Sequence, residues 1–311
     1  MSRDTIVKIL KGQARPLTFR QHRYAWRRFK KFCKERKVES LPADPNTVSS
    51  YLAWLWEVTG ATNMSAVPSA AKAINFVHCK LNRLPSPCEG FLTSLIMKGV
   101  AEERDRPAVS KEFIPLDSAK KAYRAWWATG DVVKRFLASL FILGIIYLCR
   151  FSDLQRCKFE LCILASDRLR LGFLRRKNVK LPSYIELGFT RGYWCPRNIW
   201  LRLLSVLPAN LTGTITCKIA GGQLVPHNSM TYSFFVKHLR AFLVDGGVPR
   251  PIIKRYASQS MRSGGASTLH EAGASEGTID KQGAWRDPAS KVRYCRTTTV
   301  VAQRTSHLMG L

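Results

Sequence analysis

Fourteen consecutive residues, FLASLFILGIIYLC from Phe136 to Cys149, carry no charge, and the residue that follows is Arg150. A bilayer span needs about 20 apolar residues, so this run fits a helix buried on all sides of a globular core. The chain must build that core, and Arg150 must leave it at a fixed place. A buried helix rarely ends on an arginine without a partner or a ligand. Asp153, one turn on, offers a surface ion pair, and an anion offers the other reading. The run alone leaves both open.

Charge narrows the ligand. The 311 residues hold 50 Lys and Arg against 21 acidic residues, a formal net charge of +29, yet 46% are hydrophobic. That apolar share is too high for a disordered basic tail. A folded chain with so large a positive field attracts polyanions, nucleic acid before an anionic membrane surface. With 8 Trp, 9 Tyr and 15 Phe it is also unlike short, aromatic-poor ribosomal-type proteins. The nine cysteines are scattered, with no CxxC pair and no Cys/His cluster at zinc spacing, so reduced thiols and no metal site are expected. The N-terminal MSRDTIVKILKGQ lacks a long apolar stretch. No secretory signal is expected, and a nuclear or cytosolic setting, not a membrane, follows.

The pattern along the chain is mainly helical with a small β-hairpin, and the length suits two domains. Residues 1–15 read as a basic arm. PLTFRQHRYAWRRFKKFCKERK reads as a helix with Thr18 as N-cap and Gln21 completing a capping box. Its apolar residues Phe19, Trp26, Phe29 and Phe32/Cys33 recur at helical spacing, while Arg27, Arg28, Lys30, Lys31 and Lys34 fill other faces. Further helices are predicted from Asp44-Pro45, around 69–84 and around 88–104, which makes 16–106 a small basic helical domain. Arg104 and Arg106 lie at its end. Pro107 and Pro115 mark a linker over 107–116, and 117–311 forms the larger domain. There, helices are predicted at about 117–129, 131–148, 196–207, 229–245, 261–272, 275–283 and 288–296. DRLRLGFLRRKNVKLPSYIELGF reads as a hairpin around a polar turn with Lys177, Asn178 and Lys180.

Order and spacing then single out a few residues. Arg150 with Asp153 is followed 27 positions later (177 − 150) by Lys177 in the predicted turn. Near the C-terminal end stand Gln259 and Arg262 in QSMR, Trp285 in GAW, and Tyr294, 32 residues after Arg262 (294 − 262). This series resembles the tyrosine recombinase (phage integrase) family: a first Arg with an acidic residue three on, a hairpin Lys, an H-x-x-R box, a His or Trp, and a C-terminal Tyr. The resemblance spans the whole chain, with 16–106 matching the family's helical core-binding domain. The wording of QSMRSGGAST and GAWRDPASKVRYCRT is most similar to eukaryotic mobile-element recombinases of the DIRS-like and Crypton groups. One position departs: Gln259 stands where the family carries His.

The resemblance implies a two-domain clamp on double-stranded DNA, with a mixed α+β catalytic domain, working as a homo-oligomer that is tetrameric in synapsis. It implies site-specific recombination or integration through a 3′-phosphotyrosyl bond to Tyr294, no cofactor and no small-molecule substrate. Arg150 and Arg262 would hold the non-bridging oxygens, Lys177 would protonate the leaving oxygen, and Trp285 and Gln259 would donate hydrogen bonds. Basic residues 27, 28, 30, 31, 34, 104 and 106 would meet DNA. Phosphoryl transfer depends chiefly on positioning and charge neutralisation, which this residue set supplies without a metal. Two further readings remain open here: a DNA-binding protein weakened catalytically at Gln259, and a type IB topoisomerase-like relaxing enzyme.

Overall fold

The computed structural model describes residues 16–59, 63, 65–104, 111–176, 181–208, 212–285, 291, 294 and 295. The chain divides into two compact units, Met1–Ala108 and Val109–Leu311.

The first unit is helical: α1 (Pro16–Glu35), α2 (Pro45–Thr59), α3 (Ala66–Asn75), which runs on into a π-helical turn (Phe76–Leu81), and α4 (Phe91–Arg104). The helix α1 begins at Pro16, two residues before the Thr18 cap that the pattern suggests, because proline is tolerated in a first turn. The start of α2 follows its sequence signal. Asp44 Oδ2 accepts from Thr47 N–H at 3.0 Å, and Pro45 occupies the first helical position. The core is aromatic, with Phe29 and Phe32 each 5.0 Å from the Tyr51 ring. His78 in the π turn joins two segments: its Nε2 accepts from Ala43 N–H at 2.9 Å, so Nδ1 carries the proton and donates to Ile74 C=O. Ser49 and Thr93 share a buried 2.9 Å hydrogen bond that ties α2 to α4.

The second unit opens with α5 (Leu116–Ala128) and α6 (Val132–Ile146). Asp131 caps α6 by accepting from Lys134 N–H at 3.0 Å, and every residue from Phe136 to Ile145 is buried. Next come α7 (Phe151–Leu154), β1 (Ile163–Leu164), β2 (Arg168–Phe173) and β3 (Ser183–Gly188). The strands form an antiparallel sheet in the order β1-β2-β3, with Arg170 opposite Glu186. Leu169, Leu171 and Phe173 face the core, while Arg168 and Arg170 pair with Glu186 outside. The turn 177–180 lies outside the described residues.

Then follow α8 (Pro196–Ser205), the hairpin β4 (Cys217–Ala220) and β5 (Gln223–Ser229), and α9 (Tyr232–Asp245). The β4–β5 hairpin is absent from the sequence reading, although Gly221 and Gly222 take φ of +57° and +75° in its two-residue turn. After a 3₁₀ turn (Arg250–Arg255) come α10 (Ser258–Glu271) and α11 (Glu276–Gly283). The helix α10 approaches its neighbours at backbone distance. A Cβ at Gly264 would strike Ile114 C=O, and one at Gly265 would strike Ile145 C=O just below the end of α6. The predicted helix at 288–296 lies outside the described residues apart from Lys291, Tyr294 and Cys295. Among the described residues the architecture is mainly α with two small antiparallel sheets, and no helix is long and apolar enough to cross a membrane.

Candidate active site

The buried helix α6 stops at Ile146; two residues on, Leu148 takes a left-handed φ of +50°, and the chain turns out of the core through Cys149. Arg150 is extended and caps α7. Its N–H donates to Asp153 Oδ2 at 3.0 Å, and its Nη1 lies 3.8 Å from the same oxygen. The Arg150 side chain is 20% exposed, but Asp153 is fully buried. The pair is therefore no surface ion pair: the carboxylate is fixed inside by a backbone donor while the guanidinium reaches the surface.

Arg262, on the second turn of α10, is fully buried. Its Nη1 donates to Leu148 C=O at 2.7 Å and its Nη2 to Gly283 C=O, leaving Nε without a partner. Both carbonyls belong to helix C-terminal regions, those of α6 and α11, where the peptide dipoles present partial negative charge. The Trp285 ring lies 3.8 Å from the guanidinium. Gly283 makes that stacking possible, since a Cβ there would overlap the indole. Burial, then Arg150 and Arg176, push the Arg262 pKa down to about 9, with Asp153 and Tyr294 opposing. A guanidinium stays charged in a protein, so this buried cation is held by the two carbonyls and the Trp285 ring.

Tyr294 is half-buried beside these groups. Its ring lies 5.4 Å from Trp285, 5.4 Å from the Arg262 guanidinium and 6.0 Å from that of Arg150. The backbone is fastened from two sides. Ser263 Oγ and Ser267 Oγ on α10 donate to Tyr294 C=O at 2.9 and 3.3 Å. Lys291, three residues earlier, pairs with Asp280 at 3.1 Å and with Glu276 on α11, and accepts at its C=O from Tyr294 N–H at 2.7 Å. The carboxylate of Glu276, then that of Asp280, raises the Lys291 pKa.

The structure thus brings Arg150, Asp153, Arg262, Trp285 and Tyr294 together. Gln259 is exposed on the first turn of α10, one turn before Arg262. Lys177 lies outside the described residues. Arg176, immediately before it, carries a signal that the sequence reading missed: it is 6% exposed, and its Nε and Nη2 have no hydrogen-bond partner. Alternation along β2 gives no warning, since Leu174 and Arg175 both face outward once the strand ends at Phe173. Among the described residues no group of three or more His, Cys, Asp or Glu side chains is set to hold a metal ion.

In the first unit, Arg27, Lys30, Lys31 and Lys34 are exposed on α1. Arg28 stacks over Trp54 at 5.4 Å, and Lys31 pairs with Glu35 at 3.7 Å. Arg104 ends α4, its side chain undescribed, and Arg106 lies outside the described residues.

No protein-family model matches the chain, and no curated protein matches it. Solved structures do. The Tn1549 transposon integrase in complex with circular intermediate DNA is similar over 85% of this chain and 85% of its own, at 10% identity and a TM-score of 0.54. XerH site-specific recombinase bound to a palindromic difH substrate, a post-cleavage complex, is similar over 86% of this chain and 72% of its own, at 11% identity and a TM-score of 0.54. A pre-cleavage XerH complex gives a TM-score of 0.55 over 81% of this chain at 10% identity. At these identities the likeness establishes the fold, which is that of tyrosine recombinases.

Proposed function

We propose that this chain is a DNA strand transferase that cuts and rejoins DNA through Tyr294, in the manner of a site-specific recombinase or integrase. The observation that carries the reading is the convergence of Tyr294, Trp285 and two arginines on one buried, cation-rich site. The fold, and its solved examples bound to DNA, support it.

In this reading the Tyr294 oxygen attacks the phosphorus and the bond to the 5′ oxygen breaks. The phenolic proton passes to water or a nearby base, and the leaving oxygen takes a proton from Lys177. A free 5′-hydroxyl reverses the step, so one phosphodiester is exchanged for another and no nucleotide hydrolysis is required. Arg150, at the mouth, and Arg262, through Nε, neutralise the non-bridging oxygens. Trp285 and Gln259 add hydrogen-bond donors. The basic face of α1 contacts backbone phosphates of double-stranded DNA. A homo-oligomer, tetrameric in synapsis, carries out the exchange, and a nuclear mobile-element origin is the setting that the sequence wording favours.

A second reading, a DNA-binding protein with weakened chemistry, is favoured by one observation: Gln259 cannot exchange protons near neutral pH as a histidine does. A randomised library of nicked duplexes separates the two. Covalent protein–DNA adducts are expected for the wild type and not for Tyr294→Phe, with DNA affinity nearly unchanged. Equal adduct yield from both proteins would move the nucleophile elsewhere. No adduct from either would leave the binding-protein reading in its place.

A further inference from the structure

We infer that Arg176 supplies a third guanidinium to the anion held at Arg150 and Arg262, donating to its oxygens through Nε and Nη2. The identity of that anion as a DNA phosphate rests on the function proposed above; the anion site itself does not.

Arg176 is 6% exposed, at the point where the chain leaves β2, and its guanidinium lies 5.4 Å from the Phe173 ring. An apolar ring accounts for its stem and one face of the fork. It offers nothing to Nε and Nη2, which are buried and unpartnered. Leaving buried donors of a charged group unmade costs more than leaving neutral ones. Donors of a buried cation left open in this way suit a ligand that can fill them.

The surroundings identify what. Arg176 lies within electrostatic reach of Arg262, and Arg176, Asp153, Arg262 and Arg150 all lie within reach of the buried Cys149 thiol. Among these four groups three guanidiniums stand against one carboxylate, whose Oδ1 is itself buried without a donor, an excess of two positive charges (3 − 1). Further free donors lie in the same neighbourhood: Arg262 Nε and the Trp285 indole N–H are also buried and unpartnered. Four buried N–H groups without acceptors, in a region with surplus positive charge, describe a receptor for a multi-oxygen anion.

The surplus also says when Arg176 acts. A phosphodiester brings one negative charge, and an attacking phenolate oxygen brings a second as it closes on phosphorus. A guanidinium aimed at that second, developing charge acts mainly in the transition state. Removing Arg176 should therefore slow the chemical step while leaving DNA affinity almost untouched. Arg176 is distinct from the leaving-group acid, because a guanidinium does not give up its proton; that role stays with the neighbouring lysine.

Two measurements on the full chain test this, with Arg176→Gln, which keeps a donor but no charge, and Arg176→Lys, which keeps the charge but loses the fork. The first needs no DNA: thermal unfolding in inorganic phosphate against chloride at matched ionic strength. Phosphate should raise the wild-type midpoint and raise that of Arg176→Gln much less, with Arg176→Lys between. The second is the single-turnover rate of adduct formation on a nicked duplex, expected to fall about 10²-fold or more in Arg176→Gln with DNA affinity within about twofold. A phosphate response equal in wild type and Arg176→Gln, including no response in either, overturns the inference. Where the wild type forms an adduct, an Arg176→Gln rate within about threefold of it overturns the inference as well. If phosphate stabilisation depends on Arg176 but the wild type forms no adduct, the anion site stands and the strand-transfer reading fails. Should Arg176→Gln not fold, the same two comparisons with Arg176→Lys decide the matter.

Discussion

Gly283→Ala places one methyl group where it does the most damage to the site. The carbonyl of Gly283 accepts from Arg262, and its missing Cβ leaves the space that the Trp285 ring occupies. The added carbon would overlap the indole, so Trp285 must leave the Arg262 guanidinium that it now covers at 3.8 Å. Overpacking of this kind costs about 1–3 kcal/mol, and a desolvated cation–π contact is worth about 2 kcal/mol. Alanine in a helix returns about 1 kcal/mol relative to glycine. The balance is a destabilisation of about 2–4 kcal/mol, or about 4–16 °C in melting midpoint for a unit of this size. Gly277, at the other end of the same helix, is the control, since a Cβ there meets nothing within 4 Å. Gly277→Ala should leave the midpoint unchanged or raise it slightly. The assay is thermal unfolding of both variants, followed by adduct formation below both midpoints, where Gly283→Ala should be slow and Gly277→Ala normal. If the two alanine variants unfold and react alike, Trp285 does not depend on Gly283 and the stacking described here is wrong.

Three further outcomes are expected. DNA binding should weaken with a log–log salt slope of about −7 if about eight phosphates are neutralised, and alanine at Lys30, Lys31 and Lys34 should flatten it; a wild-type slope shallower than about −3 would exclude a broad DNA contact. Gln259→His should speed adduct formation and Gln259→Ala should slow it, within the roughly 10²–10⁴-fold range of acid–base assistance; three equal rates would mean that position 259 does not touch the phosphate. Ser263→Ala removes the shorter hydrogen bond to Tyr294 C=O, worth about 1 kcal/mol. A fall of about fivefold in single-turnover rate is expected, and an unchanged rate would show that this bond does not hold the nucleophile.

Much of this arrangement could be read before any coordinates. The uncharged run is the buried helix α6, because a helix apolar on every face has nowhere else to go. Asp44-Pro45 starts α2 because both residues suit a first turn. Of the ordered series, Arg150, Asp153, Arg262, Trp285 and Tyr294 lie together in space, while Lys177 falls outside the described residues. Arg176 could not be read, since RRKNVK offers four cations of equal standing and only the end of β2 decides which turns inward. The β4–β5 hairpin had its Gly-Gly signal, but its strands are short and irregular, with a register shift between Cys217 and Lys218. The fastening of Tyr294 by Ser263 and Ser267 on α10, and by Lys291 through Glu276 and Asp280 on α11, joins three separate segments, and local periodicity carries no trace of such contacts.

The clasp on Arg262 bears on how any mutational survey of this protein is to be interpreted. Two helix C-terminal regions, those of α6 and α11, deliver carbonyls to one guanidinium. Like poles of two peptide dipoles do not attract each other, and the cation between them is what lets them converge. Arg262→Ala would delete a phosphate ligand and unpin the joint between the helices in the same stroke. An inactive protein with alanine at 262 is then no measure of transition-state stabilisation. Loss at Arg150, which reaches the surface, or at Arg176, whose Nε and Nη2 hold nothing, separates chemistry from architecture more cleanly.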